Sequence, residues 1–309
     1  MRTLMRFGQG RNIFAARRES AAAGRPSSLA MMALARHSRI ALLLPLLLAA
    51  CLGSADRAAS YSVTEAVRYD GVLDSGDERV GDLYRPRRVG PSPAVLIVHG
   101  GSWQRGSRSE MTRFAHRFAE AGYVVFNVDY RLAPQHHHPA QRDDVRAAFR
   151  WLHAHAHGLG VDPDRIAVMG YSAGAHLALL LGLADPHGGP RPNAVIAGGA
   201  PCDLTEYPDS PTLAALIGGS GNELPDRYAD ASPISHVTGD DPPVLLYHGT
   251  LDWIVDVEQS RRLLAKLHAA GVRAQLFEEP WAGHGTAFLL DGDSFRVSLA
   301  FLAAQMPAR

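Results

Sequence analysis

The chain has 309 residues, 46% hydrophobic and 20% charged, and its 31 basic side chains balance 31 acidic ones. A net charge of zero leaves no electrostatic footprint for nucleic acid, and the length suits one α/β domain with at most a small insertion. Two cysteines, Cys51 and Cys202, can build neither a disulfide framework nor a cysteine zinc site.

Residues 1–39 are rich in arginine and carry one acid, Glu19. Behind Arg36 and Arg39 comes an apolar run, Ile40 to Ala50. It is too short to span a bilayer comfortably, but it has the length and flanks of a signal-peptide core. It ends in Leu48-Ala49-Ala50-Cys51, which resembles the bacterial lipobox. That resemblance implies export, lipidation of Cys51 as the mature N-terminus, and attachment to a membrane. Leu52 rather than aspartate follows Cys51, which points to the outer membrane. A plain secretory signal with an incidental Cys51 is the bland alternative. An organelle transit peptide is another reading of the Arg-rich, acid-poor start. Because the apolar run begins late, Met31 or Met32 is a candidate start. The expected organisation is an N-terminal extension and signal peptide over 1–50, a linker over 51–60, and one folded domain over 61–309.

Within that domain, Tyr61 to Tyr69 and Arg79 to Tyr84 read as antiparallel edge strands separated by a Gly/Asp turn. The continuous apolar run Ala94 to Val98 predicts a strand buried on both faces. A helix is expected over Met111 to Ala121, a strand over Tyr123 to Asp129, and a helix over Gln141 to His157 with Val145, Phe149 and Leu152 on one face. Arg165 to Met169 is a strand and Ala173 to Leu183 a helix; Ala194 to Gly198 is again a strand. Residues 203–237 form a long Pro/Gly-broken excursion, and excursions of that length inside a domain are usually functional. Val244 to Gly249, Glu258 to Ala270, Arg273 to Glu278 and Phe295 to Ala304 then read as strand, helix, strand and helix. The alternation predicts an α/β fold: a mostly parallel central sheet with helices on both faces.

The chemistry centres on Gly170-Tyr171-Ser172-Ala173-Gly174. Strand, sharp turn and helix with a serine at the apex form a nucleophile elbow, which exposes Ser172 at the C-terminal edge of the sheet. A serine nucleophile needs a base to take its proton and an acid to orient that base. In folds built on this elbow the chain order is serine, acid, histidine. His268 and His284 are the histidines that follow the candidate acid. His268 falls inside a predicted helix. His284 falls in a Gly-flanked loop after the last strand and is the expected base. Asp240 and Asp241 precede a strand and so sit at the wrong edge. Asp252 directly follows a strand end and is the expected acid; Asp256 is expected to cap the next helix. An oxyanion needs two or more N–H donors. Ala173 supplies one, and the glycine turn at Gly101 and Ser102, after the strand ending at Val98, supplies the other. Such a site calls for no cofactor.

With these residues in hand, the chain resembles the α/β-hydrolases of the esterase/lipase group around hormone-sensitive lipase, and more closely their kynurenine-formamidase-like and feruloyl-esterase-like branch. The matching stretches are HGGSW at 99–103, DYRLAP at 129–134, GYSAGAHLA at 170–178, HGTLDWIV at 248–255 and AGHG at 282–285. The resemblance covers about residues 60 to 305, and it implies that Gly101 and Ser102 donate to the oxyanion. Two departures, Ser102 in place of a third glycine and GYSAGA in place of GDSAGG, favour the formamidase-like side. The expected reaction is hydrolysis of a small-molecule carboxylic ester, short-chain or aromatic in its acyl part, through an acyl-enzyme. The alternatives are an aryl formamidase with the same triad, which envelope export argues against, and a non-catalytic envelope-binding protein of the same fold. His136, His137 and His138 are expected in a solvated loop with no metal. Cys202 is expected to be a buried small residue. Trp103, Trp253 and Trp281 lie near catalytic positions, where they either line a pocket or pack.

Overall fold

The computed structural model describes residues 60–70, 79–184 and 188–307, all within the unit Asp56–Arg309. Cys51 and the apolar run before it lie outside the described residues. Among the described residues eight strands form one sheet: β1 (Tyr61–Arg68), β2 (Val80–Pro86), β3 (Ser92–Val98), β4 (Val124–Val128), β5 (Val161–Tyr171), β6 (Ala194–Gly198), β7 (Val244–Gly249) and β8 (Ala274–Glu279). Their order is β1-β2-β4-β3-β5-β6-β7-β8. From β4 through β8 every pairing is parallel, whereas β2 runs antiparallel to both neighbours. Only one of the two expected edge strands is therefore an edge. β1 is mostly exposed, while β2 is inserted between β1 and β4 and largely buried. The sequence of β2, with Val80, Leu83 and Tyr84 covered, suits that interior place.

The helices are α1 (Thr112–Glu120), α2 (Ala140–Ala154), α3 (Ala156–Leu159), α4 (Ala173–Leu183), α5 (Pro211–Ile217), α6 (Pro225–Asp230), α7 (Glu258–Ala269), α8 (His284–Leu289) and α9 (Gly292–Gln305). They cover both faces. Alternate strand residues such as Leu96, Val98, Phe126 and Val168 pack with Phe149 and Leu152 of α2 and Leu263 of α7 on one face. Val95, Ile97, Val125 and Met169 pack with Phe114 and Phe118 of α1 and Phe301 of α9 on the other. This period-two division is what a strand buried on both faces produces. α4 is buried on every side, which explains why it carries no polar stripe.

The excursion over 203–237 folds as α5 and α6 flanked by single 3-10 turns at Leu204–Glu206 and Pro233–His236. Its apolar residues Leu204, Leu213, Leu216, Ile217 and Tyr228 are buried in the main core. The segment is thus a packed roof, anchored by apolar side chains on helices of only seven and six residues, too short to carry a sustained helical pattern.

Candidate active site

The parallel strands deliver their C-terminal ends to one edge of the sheet, where β3, β5, β7 and β8 lead into 99–103, Ser172, 250–256 and 280–284. Between the end of β5 at Tyr171 and the start of α4 at Ala173 a single residue makes the turn. Ser172 has φ 55 and ψ −121, a left-handed backbone that a non-glycine residue holds only at a cost of about 1–3 kcal/mol. Its N–H donates to Gly198 O at 2.8 Å, and its carbonyl accepts from His176 N–H at 3.0 Å. The elbow is pressed against β3: a methyl group on Gly174 would lie 2.2 Å from Val98 O, so only glycine fits.

His284 is not in a loop; it is the first residue of α8, with Gly283 as N-cap. The glycines around it suggest a coil, but Thr286 Oγ1 accepts from Gly283 N–H at 2.7 Å and starts the helix instead. His284 Nδ1 lies 2.6 Å from Asp252 Oδ2. A carboxylate can only accept, so Nδ1 carries the proton and Nε2 of the neutral ring keeps its lone pair. Asp252 Oδ1 accepts from the N–H groups of Ile254 and Val255, both at 2.9 Å. His248 Nε2 approaches Asp252 Oδ2 at 3.3 Å. Burial works against the Asp252 carboxylate, but the hydrogen bonds from His248, His284 and Val255 outweigh it and hold the carboxyl well below the usual range. The imidazole stands beside the elbow. Its ring centroid is 5.2 Å from that of Tyr171, and a methyl group on Gly199 would come within 3.2 Å of its Cε1.

The competing residues are placed elsewhere. Asp256 accepts from the N–H of Glu258, the first residue of α7, at 3.0 Å, which is the expected capping use. His268 lies near the far end of α7, its Nε2 donating to Ala274 O at 3.0 Å.

Gly101, Ser102 and Trp103 are three consecutive residues at positive φ (105, 55 and 60). The turn is closed by the N–H groups of Gln104 and Arg105, both 3.1 Å from Gly101 O, and by Ala133 N–H, 2.9 Å from Trp103 O. A methyl group on Gly100 would lie 3.0 Å from Tyr171 O and 3.5 Å from Ser172 Cβ, so this backbone runs directly beside the elbow. Ala173 N–H, at the first position of α4, has no intrahelical acceptor.

Ser172, Ala173 and Ser102 border a cavity of about 200 Å³, walled by Trp103, Pro201, Leu204, Tyr207, Leu213 and Ile254. Trp103 is 4% exposed and so is a wall residue, whereas Trp253 and Trp281 are 87% and 83% exposed. Cys202 is fully buried and burial pushes its thiol up, which makes it inert. The three histidines are not equally solvated: His137 is exposed, as expected of a solvated loop, and His136 is half-buried. His138 is buried, with Nε2 2.9 Å from Asp230 Oδ2, and His137 Nδ1 donates to Ala215 O at 3.0 Å; both fasten the roof to the 131–139 loop. Among the described residues no cluster could hold a metal ion. Tyr171, His176 and His248 all bear on the site, and no residue pattern points to them. Each lies inside a motif whose neighbours explain the motif without it.

A serine elbow at the carboxyl edge of a mostly parallel sheet, followed in the chain by an aspartate-bound histidine, defines an α/β-hydrolase. The chain belongs to the BD-FAE family, whose model matches residues 82–267. It is similar to esterase LipC of Mycobacterium tuberculosis, at 34% identity over 65% of this chain and 55% of that protein. It is also similar to the probable carboxylic ester hydrolase LipM of the same organism, at 30% identity over 71% of this chain and 55% of that protein. The chain thus spans about half the length of these relatives. Among solved structures, a truncated carbohydrate esterase from gut microbiota superposes with a TM-score of 0.72 at 27% identity, covering 80% of this chain and 98% of that one. Thermogutta terrifontis esterase 2 with bound propionate gives 0.68 at 25% identity, covering 81% and 96%.

Proposed function

We propose that the chain hydrolyses carboxylic esters through an acyl-enzyme on Ser172. The observation that carries this reading is the 2.6 Å bond between His284 Nδ1 and Asp252 Oδ2 beside a strained serine elbow. In the proposed reaction His284 Nε2 takes the Ser172 hydroxyl proton as Oγ bonds to the ester carbonyl carbon. The carbonyl electrons move onto oxygen, which the N–H groups of Gly101, Ser102 and Ala173 stabilise. Collapse breaks the ester C–O bond, and His284 returns its proton to the departing alcohol. Water then attacks the acyl-enzyme with the same proton traffic, releasing the acid and restoring Ser172. Asp252 holds the Nδ1–H tautomer and stabilises the transient imidazolium.

The acyl group is short or a single ring. The cavity of about 200 Å³ is smaller than the roughly 300–1,000 Å³ clefts that accept drug-sized ligands. The propionate complex among the structural neighbours supports the same choice. A series of nitrophenyl esters from acetate to decanoate, with an aryl formamide alongside, tests it. We expect kcat/KM to be highest for the shortest members. Turnover of the formamide with none of the esters would replace this reading with an amidase.

We further propose that Cys51 anchors the protein to the outer membrane through several acyl chains, since a single chain gives only marginal attachment. Cys51→Ser is expected to release the protein to the soluble fraction or stall its processing. Unchanged membrane association would refute the anchor.

A further inference from the structure

His176 lies one helical turn after Ser172 and is fully buried. Both ring nitrogens are used. Trp103 Nε1 is 3.1 Å from His176 Nδ1, and His176 Nε2 is 2.7 Å from Ala231 O. An indole nitrogen can only donate and a carbonyl can only accept. The ring is therefore the Nε2–H tautomer, taking a hydrogen bond from the tryptophan and giving one to the roof. Burial pushes its pKa down to about 3, so the ring is neutral at neutral pH. The indole meets the imidazole edge-on, with centroids 5.0 Å apart.

Three of the elements that border the site are joined here. His176 belongs to the helix behind the nucleophile, and its own N–H holds the Ser172 carbonyl. Trp103 ends the run of three left-handed residues that carries the Gly101 and Ser102 N–H groups. It also walls the acyl cavity. Ala231 follows α6 in the roof. A left-handed backbone at Ser102 and Trp103 persists only where the surroundings over-determine it. The Trp103 indole is the side-chain handle by which this turn is held, and His176 is what it is tied to.

We propose that His176 is a positioning residue for ester hydrolysis, holding Trp103 and with it the oxyanion turn in register with Ser172 and the roof. The inference rests on the serine-hydrolase reading above. It predicts that the indole–imidazole bond acts in the transition state more than in substrate binding, because the oxyanion exists only there.

The test is a double-mutant cycle on the whole chain, with Trp103→Phe, His176→Leu and the pair, plus His176→Gln, whose amide can accept and donate at once. Each single variant is expected to lower kcat for a short nitrophenyl ester by about ten- to a hundredfold, less than the roughly 10²–10³ that outright loss of an oxyanion donor costs. KM is expected to stay within about threefold. The pair is expected to be no worse than the poorer single variant, and His176→Gln to regain most of the loss. If His176→Leu fails to fold, Trp103→Phe, which keeps an aromatic ring but no N–H donor, reads the same bond from its other end. Losses that multiply, a change confined to KM, or kcat within about twofold of the parent in Trp103→Phe would overturn the proposal. A parent chain that neither turns over esters nor reacts with a fluorophosphonate would instead overturn the serine-hydrolase reading beneath it.

Discussion

The hydroxyl of Tyr171 donates to the backbone carbonyl of His284 at 2.6 Å, tying the residue before the nucleophile to the residue that would serve as its base. Burial pushes the phenol pKa up, so the donor stays protonated. The same ring packs on Phe288, 4.9 Å between centroids, as well as on His284. These two residues stand four apart on one face of α8. Tyr171 therefore holds the first turn of that helix beside the elbow. Tyr171→Phe removes one hydrogen bond worth about 1 kcal/mol and keeps the ring. We expect kcat to fall about three- to tenfold with KM unchanged; steady-state kinetics on a short ester check this, and an unaltered kcat would refute it.

Asp252 and Asp256 divide their work by geometry. Asp252→Asn puts an amide where His284 Nδ1–H needs an acceptor, and in a serine triad that exchange costs on the order of ten-thousand-fold in kcat. Because Asp252 also accepts from Ile254 and Val255 N–H, the variant is expected to lose some thermal stability as well. Asp256→Ala removes one acceptor at the start of α7 and is expected to cost about 0.5–2 kcal/mol while kcat holds. Kinetics and thermal melts on both variants give the comparison; a collapse of turnover in Asp256→Ala alone would reverse the assignment.

The depressed Asp252 carboxyl has a consequence for acid stability. Its ordinary value is 3.8 and its folded value is lower. The folded state thus binds the proton less well than the unfolded state does. The stability this contributes is complete above 3.8 and is lost as pH falls through the folded value. The parent should lose Tm below pH 3.8 more steeply than Asp252→Asn, which has no carboxyl to protonate there. Melts of the two proteins across that range provide the measurement. Parallel Tm curves would show that Asp252 is not held ionised by its neighbours.

The positions of the elbow and of the candidate acid and base could be read from the chain because Ser172 and Asp252 follow strands with continuous apolar runs, and His284 follows the last strand, β8, although that strand is half polar; sheet topology then puts all three at one edge. Helix α4 and strands β6 and β7 fall where their apolar runs predict, because all three are buried on all sides. The interior place of β2 was hidden, since its pattern of covered residues does not say which neighbour covers them. The helical start of α8 was hidden by Gly283 and Gly285, whose usual meaning is coil; a threonine reaching back to Gly283 N–H decides otherwise. The placement of Tyr171 and His176 rests on contacts reaching distant segments, up to 113 residues away for Tyr171, and no local pattern encodes such partners.

The central claim is that Ser172 is the nucleophile, and the most direct measurement is where a covalent acyl-like group lands. Intact-mass analysis and peptide mapping after treatment with a fluorophosphonate should show one adduct per chain, on the peptide carrying Ser172. Its formation should run in step with loss of ester turnover, and Ser172→Ala should take up no adduct. Turnover by Ser172→Ala within about tenfold of the parent, or an adduct on another residue whose formation tracks the loss of activity, would contradict the account.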